Sequence, residues 1–320
     1  MTQVFKFFEE MGGEYQANIL CQVRDNLPRM NQDNYFALQM FLFYWAYERA
    51  GASQGYKIAA VKAVKLYQEM NGGPIEDFIE YYKEFYPDPS DSELRAHNEA
   101  KNRSKRREGK EEIELTEPWD IWNKNCNPCF SSGIVNLDIS QILSQLQQDL
   151  DALDDIFQSI NLNGIGPKIK SFFFRDIVYL LLGMGNLFDL LERAPCNYLF
   201  LMPIDIWVRK GGEQIIKCAE QPVTIPSDYK DKNKICRLNT KDFEIASKLI
   251  ILSLENETSP LSVNMGIWYF CSKYVQDERR LRRLFLDEGD TPLSIDTVLA
   301  NLKKEKYLMG IFGGQRSSLP

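Results

Sequence analysis

The chain has 320 residues, 44% of them hydrophobic and 26% charged, and its 45 acids against 38 lysines and arginines give a formal net charge of −7. That balance suits a globular protein with a substantial core and argues against one that coats nucleic acid indiscriminately. A single histidine (His97) nearly excludes His-based metal sites and Ser-His-Asp or Cys-His catalysis. Seven cysteines, an odd number with no export signal in view, point to reduced thiols in the cytoplasm.

The opening "MTQVFKFFEEMGG" places acids where a signal peptide would continue its apolar run. The most apolar stretch, "YFALQMFLFYWAY", is too short to span a bilayer and reads as a buried helix, so no membrane role is expected. "FALQMFLFYWAYERAG" and "QGYKIAAVKAVKLYQEMNGG" read as consecutive helices broken at "GAS", the second ending at Gly72-Gly73. "PIEDFIEYYKEFY" starts another, with Pro74 near its first turn.

Residues 87–115 are polar, highly charged and almost without large apolar side chains, which suits a surface insertion or a solvated helix. Within them "KNRSKRREGK" carries six basic residues against Glu108, and later "RRLRR" (279–283) carries four. Cys126 and Cys129 form a CxxC, but the other cysteines supply no second pair, so no metal is expected.

From residue 143 to 160 the positions Leu143, Leu146, Leu150, Leu153, Phe157 and Ile160 step by three and four, the pattern of one amphipathic helix. "NLNGIGPKIKSFFFRD" follows. Gly164 and Gly166 permit the positive φ angles of a sharp reversal, and Pro167 suits the first position of the next helix. An αα-hairpin joining two core helices accounts for this much. Such a hairpin also points free N–H groups of a helix N-terminus outward, where a phosphate can bind, with Lys168 in the first turn beside it.

Further on, "YLFLMPI" is a candidate extended piece. "PIDIWVRK" places Asp205 directly before a helix, the position of an N-cap and equally that of a catalytic carboxylate. "FEIASKLIILSLE" and "NMGIWYFCSKYVQDERRLRRLFL" read as helices. No segment alternates with the period of a strand, so an all-α fold is predicted.

These motifs resemble the helix-hairpin-helix DNA glycosylase superfamily. Its signature looks like Leu162, Gly164, Ile165, Gly166 and Lys168, followed by Pro203 and Asp205. The early helix pair is similar to the family's as well, and the likeness covers roughly residues 35–70 and 150–285. The 37-residue separation of Lys168 and Asp205 and the segment "VNMGIWYFCSKY" are closest to the archaeal-type 8-oxoguanine glycosylases. The cysteine pattern of the iron–sulfur branches is absent.

The resemblance implies two helical lobes with the hairpin and an active-site cleft between them. One lobe would be 33–160, with the charged insertion at about 87–130. The other would be 1–32 plus 161–320, carrying the hairpin at 161–182 and the aspartate segment at 199–210. It implies a base-excision-repair enzyme, a bifunctional DNA glycosylase and AP lyase acting on an oxidised base, with 8-oxoguanine favoured. Double-stranded DNA would be the partner, the protein a monomer, and no cofactor would be needed.

Lys168 and Asp205 would be catalytic, the amine activated by partial desolvation. Gly164, Gly166 and Lys170 would hold the DNA backbone. Trp268 would stack on the extruded base, against a competing reading as a core tryptophan, and Ser53 and Gln54 would fill the hole it leaves. Arg175 is either a phosphate contact or a solvent-facing residue, while Trp207 and Phe172–Phe174 read as core. The rival reading from another class is a non-catalytic DNA-binding protein built on the same hairpin.

Overall fold

The computed structural model describes residues 1–46, 54–71, 73–74, 76–79, 130–148, 152–181, 191, 194–219 and 222–313, side chains of 54–60 and 309–313 excepted. The described residues are mostly helical and include no β-strand; a single isolated bridge pairs Leu286 with Pro292. Among them no helix is long and apolar enough to cross a membrane. The chain divides into two compact units, a terminal unit of Met1–Arg24 with Phe174–Pro320 and a mid-chain unit of Asp25–Phe173. Residues 161–173 of the hairpin thus fall in the mid-chain unit.

In the mid-chain unit, α3 (Asn34–Phe41) starts at Asp33, whose carboxylate accepts from the Phe36 N–H, and runs into a π-helical turn at Leu42–Ala46. α4 (Gln54–Glu69) stops two residues before Asn71, which turns left-handed at φ 58°. The halt therefore comes ahead of the glycine pair, because asparagine tolerates that conformation. The periodic stretch 143–160 is carried by two segments, α5 (Ile139–Gln148) and α6 (Leu153–Ser159), and 149–151 lie outside the described residues. Both segments present the expected apolar face: Leu143, Leu146, Leu153 and Phe157 are all buried.

The hairpin helix α7 (Pro167–Leu181) feeds Ile169 and Phe173 into this core. Phe173 meets Phe41 and Trp45 edge-on, with ring centroids 5.1 Å away in each case. Such pairs add about 0.5–1.5 kcal/mol beyond the area they bury.

In the terminal unit, α1 (Thr2–Tyr15) crosses the helix Pro260–Tyr269 at glycines, and α2 (Cys21–Met30) carries the chain on into the residues of the mid-chain unit. α8 (Ile206–Lys217), α9 (Ser227–Cys236), α10 (Thr240–Glu255), α11 (Pro260–Tyr269), α12 (Glu278–Phe285) and α13 (Ile295–Gly313) complete it. A Cβ on Gly266 would stand 1.7 Å from the Phe8 carbonyl oxygen, and one on Gly12 would stand 2.2 Å from that of Ser262. The two backbones therefore touch, which only glycine permits.

Two sequence expectations change here. "YLFLMPI" is not extended: Pro195–Leu201 form a 3₁₀ helix, and the following residues carry no regular structure up to Asp205. The stretch 264–286 is not one helix either. α11 passes into a π-helical turn at Phe270–Val275, Gln276 turns left-handed at φ 55°, and Asp277 caps α12 by accepting from the Arg280 N–H. A fresh cap competes with continuation, and here it wins.

Candidate functional site

The hairpin is built as a tight turn with bare amides. Gly164 adopts φ 87°, whereas Gly166 does not need a positive φ. The Asn163 N–H donates to the Ser132 hydroxyl at 3.0 Å and the Ile165 N–H to the Leu162 carbonyl at 3.1 Å. The Gly166 carbonyl starts α7 by accepting from Ile169 and Lys170. The N–H groups of Gly164, Gly166 and Lys168 have no acceptor among the described residues. Added Cβ atoms on either glycine would meet nothing within 4 Å. Ile165 is buried and pins the turn, whereas Gly164, Gly166 and Lys168 are exposed around it at the start of α7.

Lys168 is exposed, and its ammonium takes no partner among the described residues. Burial within the folded chain therefore does not supply the desolvation expected of it. Lys170 is half-buried and anchored, because its Nζ donates to the Phe157 carbonyl at 2.9 Å and lies 5.0 Å from that ring's centroid. It satisfies one of the carbonyls left over at the end of α6.

Asp205 is half-buried in the terminal unit and caps α8. Its Oδ1 accepts from the N–H groups of Trp207 at 2.9 Å and Val208 at 2.8 Å. The segment leading to it, Met202 to Ile204, is buried. Burial pushes the nearby Cys271 thiol upward in pKa, and the Asp205 charge adds to the shift. Lys168 belongs to the mid-chain unit and Asp205 to the terminal unit.

Arg175 is neither a phosphate contact nor solvent-facing. Its side chain is fully buried, 0% exposed, in the terminal unit. Its Nε donates to Asp176 Oδ1 at 2.8 Å, Nη1 to Asn264 Oδ1 at 2.9 Å, and Nη2 to the Tyr15 hydroxyl at 2.9 Å. The Tyr15 hydroxyl in turn donates to Asp176 Oδ2 at 2.8 Å. Burial works against the Arg175 charge, yet Asp176 beside it, then Tyr15, leave its pKa above the ordinary value. No sequence motif marks Tyr15, Asp176 or Asn264. A signal existed: "SFFFRDIVYLL" is apolar on nearly every side, so an arginine inside it has to be paired.

Trp268 sits at the border between the two readings given to it. Half-buried at the end of α11, it packs on Tyr15, Leu20 and Met265. Its ring meets Tyr15 edge-on at 5.5 Å, with Lys273 Nζ 5.6 Å from the ring centroid. Gln54 is the first residue of α4, and Ser53 lies outside the described residues, as do His97, the 87–129 segment and the Cys126/Cys129 pair. Phe173 and Phe174 are core as expected, whereas Phe172 and Trp207 are half-buried. Among the described residues no cluster of His, Cys, Asp and Glu has the makings of a metal site. No protein-family model, no curated protein and no solved structure matches the chain.

Proposed function

We propose that this chain is a DNA glycosylase with AP lyase activity that removes an oxidised base, 8-oxoguanine foremost, from double-stranded DNA. The observation that carries the reading is the hairpin. Gly164 turns left-handed, three amides have no acceptor among the described residues, and Lys168 stands exposed in the first turn that follows. Those amides, with Lys170 adding charge, would bind phosphate oxygens and fix register without reading sequence. Trp268, half-buried with a positive charge near its ring, would offer a face to the extruded base.

The chemistry requires a neutral amine. Lys168 is solvated in the free chain, so the duplex itself has to exclude water around it. Asp205 takes the proton from Nζ; the amine lone pair then attacks C1′ as the bond to the base breaks. Opening of the sugar ring gives the Schiff base, and loss of a C2′ proton expels the 3′ phosphate by β-elimination. The Asp205 charge also stabilises positive charge developing on the sugar. Nothing in these steps calls for a metal or cofactor.

The exposure of Lys168 also favours a second reading, a non-catalytic DNA-binding protein using the same amides. One experiment separates them. Duplexes each bearing one defined lesion are incubated with the protein, with and without borohydride. A covalent adduct on the 8-oxoguanine duplex that disappears in Lys168→Gln supports the enzyme. Salt-dependent binding with no adduct and no strand cleavage on any duplex refutes it and leaves the binding protein.

A further inference from the structure

The Arg175 network reaches the segment that carries Asp205. Arginine only donates, so the atom of Asn264 that faces Nη1 at 2.9 Å has to be its carbonyl oxygen. The Asn264 amide is thereby fixed in orientation, and its Nδ2 points the other way, donating to the Pro203 carbonyl at 3.4 Å. Arg175 is itself held by Asp176 and by Tyr15, so the amide cannot rotate without breaking charge-assisted bonds in a site closed to water.

Pro203 lies two residues before Asp205, in the buried stretch that follows the 3₁₀ helix and has no regular hydrogen-bond ladder of its own. The capping bonds to Trp207 and Val208 fix Asp205 from the α8 side. Asn264 fixes the chain from the other side.

We propose that Asn264, oriented by the buried Arg175, is a positioning residue that sets the approach of the Pro203–Asp205 segment and with it the aim of the Asp205 carboxylate. The proposal rests on the glycosylase reading, in which Asp205 is the proton acceptor. The network touches neither DNA nor the reacting atoms; it acts through Asp205.

The test uses Asn264→Asp in the full chain. That variant keeps an oxygen for Arg175 and replaces the donor facing Pro203 with an acceptor. Single-turnover base release from the 8-oxoguanine duplex is measured at saturating and subsaturating protein, with duplex affinity followed separately by fluorescence anisotropy. The expected result is a maximal rate down about tenfold or more, with duplex affinity essentially unchanged. Asn264→Ser, which frees the Pro203 carbonyl and leaves Arg175 bonded to Asp176 and Tyr15, should show the same split. It serves as the second variant should Asn264→Asp fold poorly.

Leu302→Ala, which opens a cavity in α13 away from the network, is the control for stability alone and should keep the parent's rate below its unfolding temperature. Parent-like maximal rates in both Asn264 variants overturn the positioning role while the glycosylase reading stands. A parent protein that releases no base and traps no adduct overturns both together, so the two failures are distinguishable.

Discussion

Arg175 and Asp176 follow one another in the chain and bond to each other inside the terminal unit, Nε to Oδ1 at 2.8 Å, both side chains out of water. Neighbours in a helix do not ordinarily face each other. Here the arginine bends back to its neighbour because Tyr15 and Asn264 complete the ring of partners. Removing one charge strands the other, so Arg175→Met should cost about 3–5 kcal/mol. The double variant Arg175→Met/Asp176→Asn should lose clearly less than the sum of the single losses. Urea unfolding of all four forms closes the cycle, and simple additivity would contradict the pairing.

The crossing of α1 and α11 makes a second prediction from three glycines. Gly266→Ala has to displace the Phe8 backbone and Gly12→Ala that of Ser262, so each should destabilise by about 3 kcal/mol or more. Gly13 follows Gly12 on α1, is exposed, and has nothing within 4 Å of its would-be Cβ. Gly13→Ala should therefore stabilise by about 0.5–1 kcal/mol through helix propensity. Thermal melts of the three variants check the contrast.

Much of the fold was readable beforehand because helices announce themselves by period. The faces of α5 and α6, the reversal at Gly164 and the cap at Asp205 all follow from local rules. What escaped was decided by tertiary contacts. In sequence Arg175 reads as a phosphate contact or a solvent-facing cation, because its partners Tyr15 and Asn264 stand 160 and 89 residues away. The break at Gln276 is a different case: the five polar residues Gln276–Arg280 suit a solvated helical turn as well as a break, and the left-handed Gln276 with the Asp277 cap decides for the break.

Lys170 ties the hairpin helix to the end of α6 through the Phe157 carbonyl, so Lys170→Met should lower stability by about 0.5–1.5 kcal/mol. Under the proposed function the same change also removes a phosphate contact. The slope of log affinity for duplex against log salt should then flatten by about one. A stability loss with an unchanged slope would confine Lys170 to the structural role.

Buried thiols set an alkaline limit. Burial raises the pKa of Cys271, Cys218 and Cys196, with Asp205 adding to the first and Asp228 to the last. Above the unfolded thiol value of about 8.5 the unfolded chain gives up protons that the folded chain retains. The difference in bound protons, unfolded minus folded, is then negative, so stability falls as pH rises from there through the raised folded values. Tyr229 and Tyr274, also raised by burial, extend the fall to higher pH. At about pH 8 the three cysteines should also alkylate more slowly in the native protein than half-buried Cys21, read by peptide mass mapping.

Asp205 does two things that substitutions can separate. As a cap it needs only a side-chain oxygen for the Trp207 and Val208 amides, and asparagine offers one as good. Asp205→Asn should therefore keep the parent's stability to within about 0.5 kcal/mol, whereas Asp205→Ala should lose about 1 kcal/mol. As a proton acceptor and counter-charge it needs the carboxylate, which neither variant has. Under the proposed function both should lose base release by similar factors, on the order of a hundredfold or more. Activity then follows the charge while stability follows the cap. If Asp205→Asn released base at the parent's rate, Asp205 would be a helix cap and nothing more, and the amine of Lys168 would need another group to take its proton.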